Sequence, residues 1–410
     1  MIPAPLAGNR TRSPRVLSAI ASAAFVLTGG ANTFLGPILP TLAARWHLSD
    51  SQAGYFLSAQ FLGTILGVSV SSQLLPCRGF RFSIGTAYLL MAAGVSGLSL
   101  PHWKAALLGT FVVGLGLGVV IPSTNLLTSS LNPHRRASAL SILNFYWGLG
   151  AVAAPVALAL ARRWNQVPSF MPVLSGFLLL SALCIALAPK GEPASIEGPA
   201  ASRSRAISDW PFAAIVGGMF FLYVAIEASV GGWIATLVQR ATTGTDHSWV
   251  TAPSLFWGGL LVSRGLAPAF LRGGRERRVA LTSLIVACSG MLVLVFSTRW
   301  QWIIVAGAIV GCGLAAVFPI TIALLSRFRD MEKRIAGPMF ALAGLGGAVV
   351  PWFVGVISTW SGSLQIGLMA PLVATVLLLW LHAVHNRYKR SAADQFELQN
   401  NSPNSSLTDK

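Results

Sequence analysis

Residues 113–127 read VGLGLGVVIPSTNLL and residues 144–155 read NFYWGLGAVAAP, with a short basic turn at His134, Arg135 and Arg136 between them. The same pattern returns as VGCGLAAVFPITIAL at 310–324 and FALAGLGGAVVP at 340–351, with basic residues from Arg327 to Arg334 between them. Gly114, Gly116 and Pro122 precede Gly311, Gly313 and Pro319 by 197 positions, and Gly148, Gly150 and Pro155 precede Gly344, Gly346 and Pro351 by 196. One residue of slack over two helices marks a repeat. A period near half of 410 residues means duplicated halves and excludes a solenoid, whose units run to roughly 20–50 residues. In a chain this apolar, paired halves point to a carrier with its site between them.

Hydrophobic residues make up 54% of the chain and charged residues 10%, with a mean hydropathy of +0.67. Ordinary soluble domains carry about 25% charge, so this chain belongs in a bilayer. Apolar runs long enough to cross about 30 Å of hydrocarbon as helix fall at 17–44, 51–75, 82–100, 104–130, 137–161, 168–188, 210–238, 250–271, 279–297, 301–327, 334–358 and 363–385. The net charge of +17 raises the question of nucleic acid, and its placement answers it. Alternating the loops between two sides puts 22 Lys and Arg on one side, both tails included, and six on the other. That asymmetry orients a membrane protein with both termini in the cytoplasm, so no nucleic-acid partner is expected. The bilayer is the large partner, and the cell inner membrane is the expected location.

The domain plan follows. A disordered cytoplasmic tail is expected at 1–16, a six-helix bundle at 17–188, a cytoplasmic linker rich in Pro, Ser and charge at 189–209, a second six-helix bundle at 210–388, and a disordered cytoplasmic tail at 389–410. The first span follows Arg10, Arg12 and Arg15 as a signal peptide would, but it is too long and leads into further spans. Cys77, Cys184, Cys288 and Cys312 show no CxxC spacing and read as small apolar fillers. His382 and His385 share a helical face without a carboxylate or thiol nearby, too little for a metal site. No GxxxxGK[ST] loop is present, so nucleotide hydrolysis is not expected to drive the chain. The clustered acids, bases and nucleophiles of an enzyme are absent too.

Eleven of the twelve acids lie in loops or tails, and Glu227 alone lies deep in a span. An ionisable group there is expensive and marks a functional candidate. Tyr223 and Gly231 lie one turn to either side on the same face. The competing role for Glu227 is a hydrogen-bonded buttress. Arg264 is the only base inside a span, where a gate, a lipid-facing snorkel and a pairing with Glu227 all stay open. Asn32, Gln60, Asn125 and Asn144, with Tyr146, Trp147, Trp233 and Trp257, offer amides and aromatic faces that suit a polyhydroxylated solute. Interhelical hydrogen bonds and core or lipid packing are their structural alternatives. Pro37, Pro40, Pro122 and Pro319 are expected to bend helices around the solute.

These twelve spans, two halves, central loop and basic turns resemble the major facilitator superfamily over about residues 15–388. YVAIEASVGGW at 223–233, FWGGLLVSR at 256–264 and the repeated Gly/Pro pattern resemble its fucose-permease-like, sugar-transporting branch. The resemblance implies an all-α fold of twelve transmembrane helices in two pseudo-symmetric six-helix bundles. It implies a monomeric symporter or uniporter that moves a small polar solute, a sugar first, by alternating access, with no resident cofactor. A proton or sodium ion is the candidate coupling ion and Glu227 the candidate coupling residue. The family's 2–3 loop motif is partly kept: Gly79 and Arg81 are present, but Ser72 replaces its first Gly and Pro76 its Asp. Arg81 and Arg264 are therefore the gate candidates. Fucose permeases carry an Asp and a Glu at the positions of Gly36 and Ile121, so their proton mechanism is not implied, although Asn125 matches. An efflux carrier for amphipathic drugs is the rival reading.

Overall fold

The computed structural model describes residues 12–189, 210–242, 248–270, 275–325 and 332–400, all helical or in short connections. Residues 190–209, on which the expected linker falls, and residues 1–11, 243–247, 271–274, 326–331 and 401–410 lie outside the described residues. The helices are α1 (Arg12–Thr33), α2 (Leu35–Trp46), α3 (Asp50–Gly97), α4 (Trp103–Leu131), α5 (Arg136–Arg163), α6 (Val167–Leu187), α7 (Trp210–Ala241), α8 (Ala252–Phe270), α9 (Glu276–Phe296), α10 (Trp300–Leu314), α11 (Val317–Leu325), α12 (Glu332–Ser361), α13 (Leu364–Gly367) and α14 (Met369–Asn400). Short 3-10 turns at Pro133–Arg135 and Ser248–Thr251 precede α5 and α8.

Twelve crossings emerge once breaks and fusions are resolved. The pairs α1/α2, α10/α11 and α13/α14 are each one crossing interrupted at Phe34, Ala315–Ala316 and Leu368. Each interruption lies within about four residues of Pro37, Pro319 or Pro371. A proline gives no N–H to the carbonyl four residues back, and its ring crowds that carbonyl. Conversely, α3 fuses two crossings, turning only at Gly79, whose φ of 75° and ψ of 175° suit a residue without Cβ. Ten helices are long and apolar enough to span by composition. The fused α3 supplies an eleventh crossing, and α8, made less apolar by Arg264, is the twelfth.

Pro40 and Pro122 lie inside α2 and α4, which stay helical past them. One expectation changes here: the last helix does not stop near Tyr388, and α14 continues to Asn400. Residues 391–399 (SAADQFELQ) include strong helix formers such as Ala, Gln, Glu and Leu, which a judgement from low apolar content overlooks. At the other end α1 starts at Arg12.

The repeat is a repeat of contacts. A Cβ on Gly114 would strike the Gln60 carbonyl, and one on Gly311 the Phe256 carbonyl. A Cβ on Gly150 would strike the Val26 carbonyl, and one on Gly346 the Phe221 carbonyl. Each pair thus joins equivalent helices, α4 to α3 and α10 to α8, then α5 to α1 and α12 to α7. Association of apolar helices in lipid relies on such close backbone packing.

The halves, α1–α6 and α7–α14, meet where α3 lies on α12, α5 on α8 and α2 on α7. Gly36 reaches the backbone of Gly231, and Gly54 that of Trp352. Ser58 Oγ donates to the Ala348 carbonyl at 2.6 Å, and Ser254 Oγ to that of Val152 at 2.9 Å. Among the described residues every hydrogen bond between halves lies in the part of the bundle away from the termini. These bonds tie the two halves on that face. Replacing Gly150 or Gly346 by Val forces carbonyls apart and should lower the thermal midpoint of purified protein by several degrees, from a cost of at least about 1–3 kcal/mol. Gly176→Ala, which meets nothing within 4 Å, should leave the midpoint unchanged.

Candidate functional site

The break in the first crossing builds the centre of the site. With Pro37 withholding an N–H, helical hydrogen bonding lapses beside Phe34, whose φ and ψ stay helical at −64° and −22°, and the amide of Gln60 on α3 donates to the Asn32 backbone carbonyl at 2.8 Å and to its Oδ1 at 3.0 Å. Backbone left open in a bilayer must be satisfied by neighbours or a cavity. Here both are present. A cavity of about 110 Å³ lies against this junction, and Asn32, Thr33, Gln60, Phe61 and Trp147 of the first half and Glu227, Gly231 and Trp257 of the second line it.

Aromatic rings close it. Trp147 and Trp257 meet edge to face across the two halves, with centroids 5.6 Å apart at 82°. Trp257 reaches this position because Gly231 opposite has no side chain; a Cβ there would lie 2.8 Å from the indole. The Trp257 Nε1–H is buried and finds no acceptor among the described residues. A buried donor of this kind costs free energy unless something binds it.

Glu227 enters from α7. Tyr223 donates its hydroxyl proton to Glu227 Oε1 at 3.1 Å, and Arg264 Nη2 donates to the Tyr223 oxygen at 3.2 Å. The open question of Glu227 and Arg264 thus resolves into a relay through Tyr223. Among the described residues the two charges form no direct ion pair. Tyr223 is fixed by the Phe318 ring on α11, 5.0 Å away, just past the break ahead of Pro319.

The structure therefore gathers five of the nine candidate solute contacts, Asn32, Gln60, Trp147, Glu227 and Trp257, in one cavity. Trp233 is fully buried and donates Nε1–H to the Pro351 carbonyl at 2.8 Å, tying α7 to α12. The Asn125 and Asn144 amides donate to carbonyls of their own helices, Ile121 and Leu140. With half-buried Tyr146 they stand on the side of the cavity nearer the termini. Of the gate candidates, Arg264 joins the relay, whereas Arg81 is half-buried after Gly79 and has no hydrogen bond or ion pair among the described residues. Leu57 and Phe61 also line the cavity and escaped the sequence reading. They flank Gln60 on one helical face, but an apolar side chain facing a cavity looks like one facing lipid.

A larger apolar cleft, about 470 Å³, lies between α1, α5 and α6 of the first half alone. It lacks the two-sided construction that alternation requires.

Residues 21–334 match the family described as the Major Facilitator Superfamily. The chain is 23% identical over 399 residues to sodium-dependent glucose transporter 1 of Xenopus laevis, covering 90% of this chain and 80% of that one. It is 23% identical over 360 residues to the gentisate transporter of Corynebacterium glutamicum, covering 82% and 80%. Among solved structures it resembles the E. coli fucose:proton symporter, at a TM-score of 0.62 and 16% identity over 91% of this chain and 99% of that one. It also resembles a bacterial homologue of the lysosomal transporter Spinster, at 0.72 and 14% over 92% and 97%. The match to more than half of the chain and the shared architecture make it a member of the Major Facilitator Superfamily, a secondary transporter and not an enzyme.

Proposed function

We propose that this transporter carries a small, uncharged, polyhydroxylated solute of the sugar class in the cavity between Trp147 and Trp257. Both termini lie in the cytoplasm of a cell whose inner membrane holds the protein, which works as a monomer. The observation that carries the reading is the pairing of a satisfied amide cluster with an unsatisfied indole donor. Asn32 and Gln60 present polar atoms from one half, Trp257 presents Nε1–H from the other, and the two indoles offer flat apolar faces. Hydroxyls match the first set and sugar C–H faces the second. The names of relatives that carry glucose and of a neighbour that carries fucose agree with the class. Asn125 and Asn144 belong to the approach from the cytoplasm.

The test is uptake into proteoliposomes from a panel of radiolabelled sugars, amphipathic cations and aromatic carboxylates such as gentisate, with and without proton or sodium gradients. Only sugars should be concentrated. Concentration of cations or carboxylates with no sugar transported would reverse the assignment. For the transported sugar, Gln60→Ala and Trp257→Phe should each raise the half-saturation concentration about two- to twelvefold, the worth of one neutral hydrogen bond. Unchanged values in both variants would move the solute elsewhere.

Glu227 is proposed as the coupling residue, since it lines the cavity and its carboxylate accepts from Tyr223, which in turn accepts from Arg264. Glu227→Gln should keep solute exchange across the membrane at near-normal rates and lose accumulation against a gradient. Full accumulation by folded Glu227→Gln protein would reduce Glu227 to a structural hydrogen-bond partner.

A further inference from the structure

The face opposite the termini is closed by two clusters that no sequence motif announces. Asp50, at the start of α3, accepts from Arg240 Nη2 at 2.6 Å and Nη1 at 2.9 Å, joining α3 to the end of α7 in the other half. Ser358, near the end of α12, donates to Asp50 Oδ2 at 2.5 Å. Beside it the Ser51 N–H donates to Thr359 Oγ1 at 2.9 Å. Asp50–Arg240 is the only ion pair among the described residues.

The second cluster centres on Arg162 at the end of α5. Its guanidinium carbon lies 4.8 Å from the ring centre of Trp249, which is buried at the entry to α8 in the other half. Its Nη1 donates to Thr41 Oγ1 on α2 at 3.1 Å.

These clusters occupy equivalent places in the two halves. Trp249 follows Asp50 by 199 positions, Arg240 follows Thr41 by 199, and Ser358 follows Arg162 by 196, the spacing of the glycine repeat within three residues. The same three helix ends are used twice. What differs is chemistry: one triad is tied by a carboxylate and guanidinium, the other by a guanidinium on an indole face, with the charged centre moved from the α3-type to the α5-type position.

We propose that Asp50–Arg240 and Arg162–Trp249 are paired latches that hold the transporter closed at the face opposite its termini and must both part for the cavity to open there. Asp50 lies about 15 Å along α3 from Gln60 by helical rise, so the latches sit one bilayer leaflet away from the solute site. The ion pair is partly exposed, with Arg240 at 45% and Asp50 at 12%. Such a pair is weak and screened by salt, which suits a contact that breaks every cycle. The cation–π latch holds an apolar contact in addition to charge and is less sensitive to salt. The proposal rests on the transport reading of the family and not on the identity of the solute.

The test needs no solute. Ala235, one turn from Gly231 towards the latched face and fully buried, is replaced by Cys in full-length purified protein whose four native cysteines are changed to Ser. The rate of reaction with a polar maleimide is then followed. Asp50→Asn and Arg162→Gln should each accelerate labelling about two- to fivefold, the range a partly exposed charge contact is worth. The charge exchange Asp50→Arg with Arg240→Asp should return the rate towards its starting value. With latches intact, raising salt to about 1 M, where the screening length is about 3 Å, should also accelerate labelling, an effect Asp50→Asn should remove. An unchanged rate in either folded variant overturns the paired latches. Should Asp50→Asn fail to fold, the salt series on latch-intact protein decides, and a rate independent of salt overturns the ion-pair latch.

Discussion

Lipid tails are as apolar as leucine, so hydrophobic burial gives one membrane helix little reason to choose another. Close approach of backbones, permitted by glycine, does the choosing here. Gly114 on Gln60, Gly311 on Phe256, Gly150 on Val26 and Gly346 on Phe221 lock each half internally. Gly36 on Gly231 lets the halves touch beside the cavity. Everything functional hangs on that framework. Trp257 can lie across the site only because Gly231 lacks a side chain, and the broken first crossing is tolerated because Gln60 fills the gap it leaves.

Polar groups are few, and each must be satisfied within the protein. Serine and threonine hydroxyls mostly donate to carbonyls of their own helices, as Thr110, Ser123 and Thr321 do. Some pair between helices of one half, as Thr28 with Tyr88 and Ser96 with Ser175, and two further groups of polar side chains stand out. One is the cavity, with the Gln60–Asn32 amides, the Glu227–Tyr223–Arg264 relay and the unpartnered Trp257 donor. The other is the face opposite the termini, with Asp50, Arg240 and Ser358. The first is the proposed solute site and the second the proposed latch on the movement that exposes it. Glycine contacts hold each half together, and across the latched face the same kind of approach, Gly54 on Trp352 and Gly355 on Asp50, is joined by side-chain bonds that can part.

Much of this was legible in the chain. A repeat of 197 and 196 positions foretold equivalent halves, and the glycine contacts show why those residues recur. Glu227 stood out because a lone acid in a span has few innocent explanations. Other features were not legible for physical reasons. Helical hydrogen bonding lapses ahead of Pro37 and Pro319 whereas α4 runs on past Pro122, and local sequence cannot say whether neighbours will satisfy the freed carbonyl. Trp233 and Trp257 look alike as letters, yet one binds the Pro351 carbonyl in the core and the other faces the cavity. Asp50 and Arg240 lie 190 positions apart, and as charges at helix ends they resemble the solvated residues that flank any span.

Alternating access requires the two halves to pivot as rigid bodies about the cavity between them. Spin labels placed pairwise at exposed positions test it directly through their separations: Ser99 with Ser361 across the latched face, Ser141 with Pro338 across the face near the termini, and Ser99 with Ser141 within one half. On adding the solute identified by uptake, the two distances between halves should change in opposite directions while the distance within the half stays fixed. A changed distance within the half, or separations at both faces moving in the same direction, would contradict the pivot.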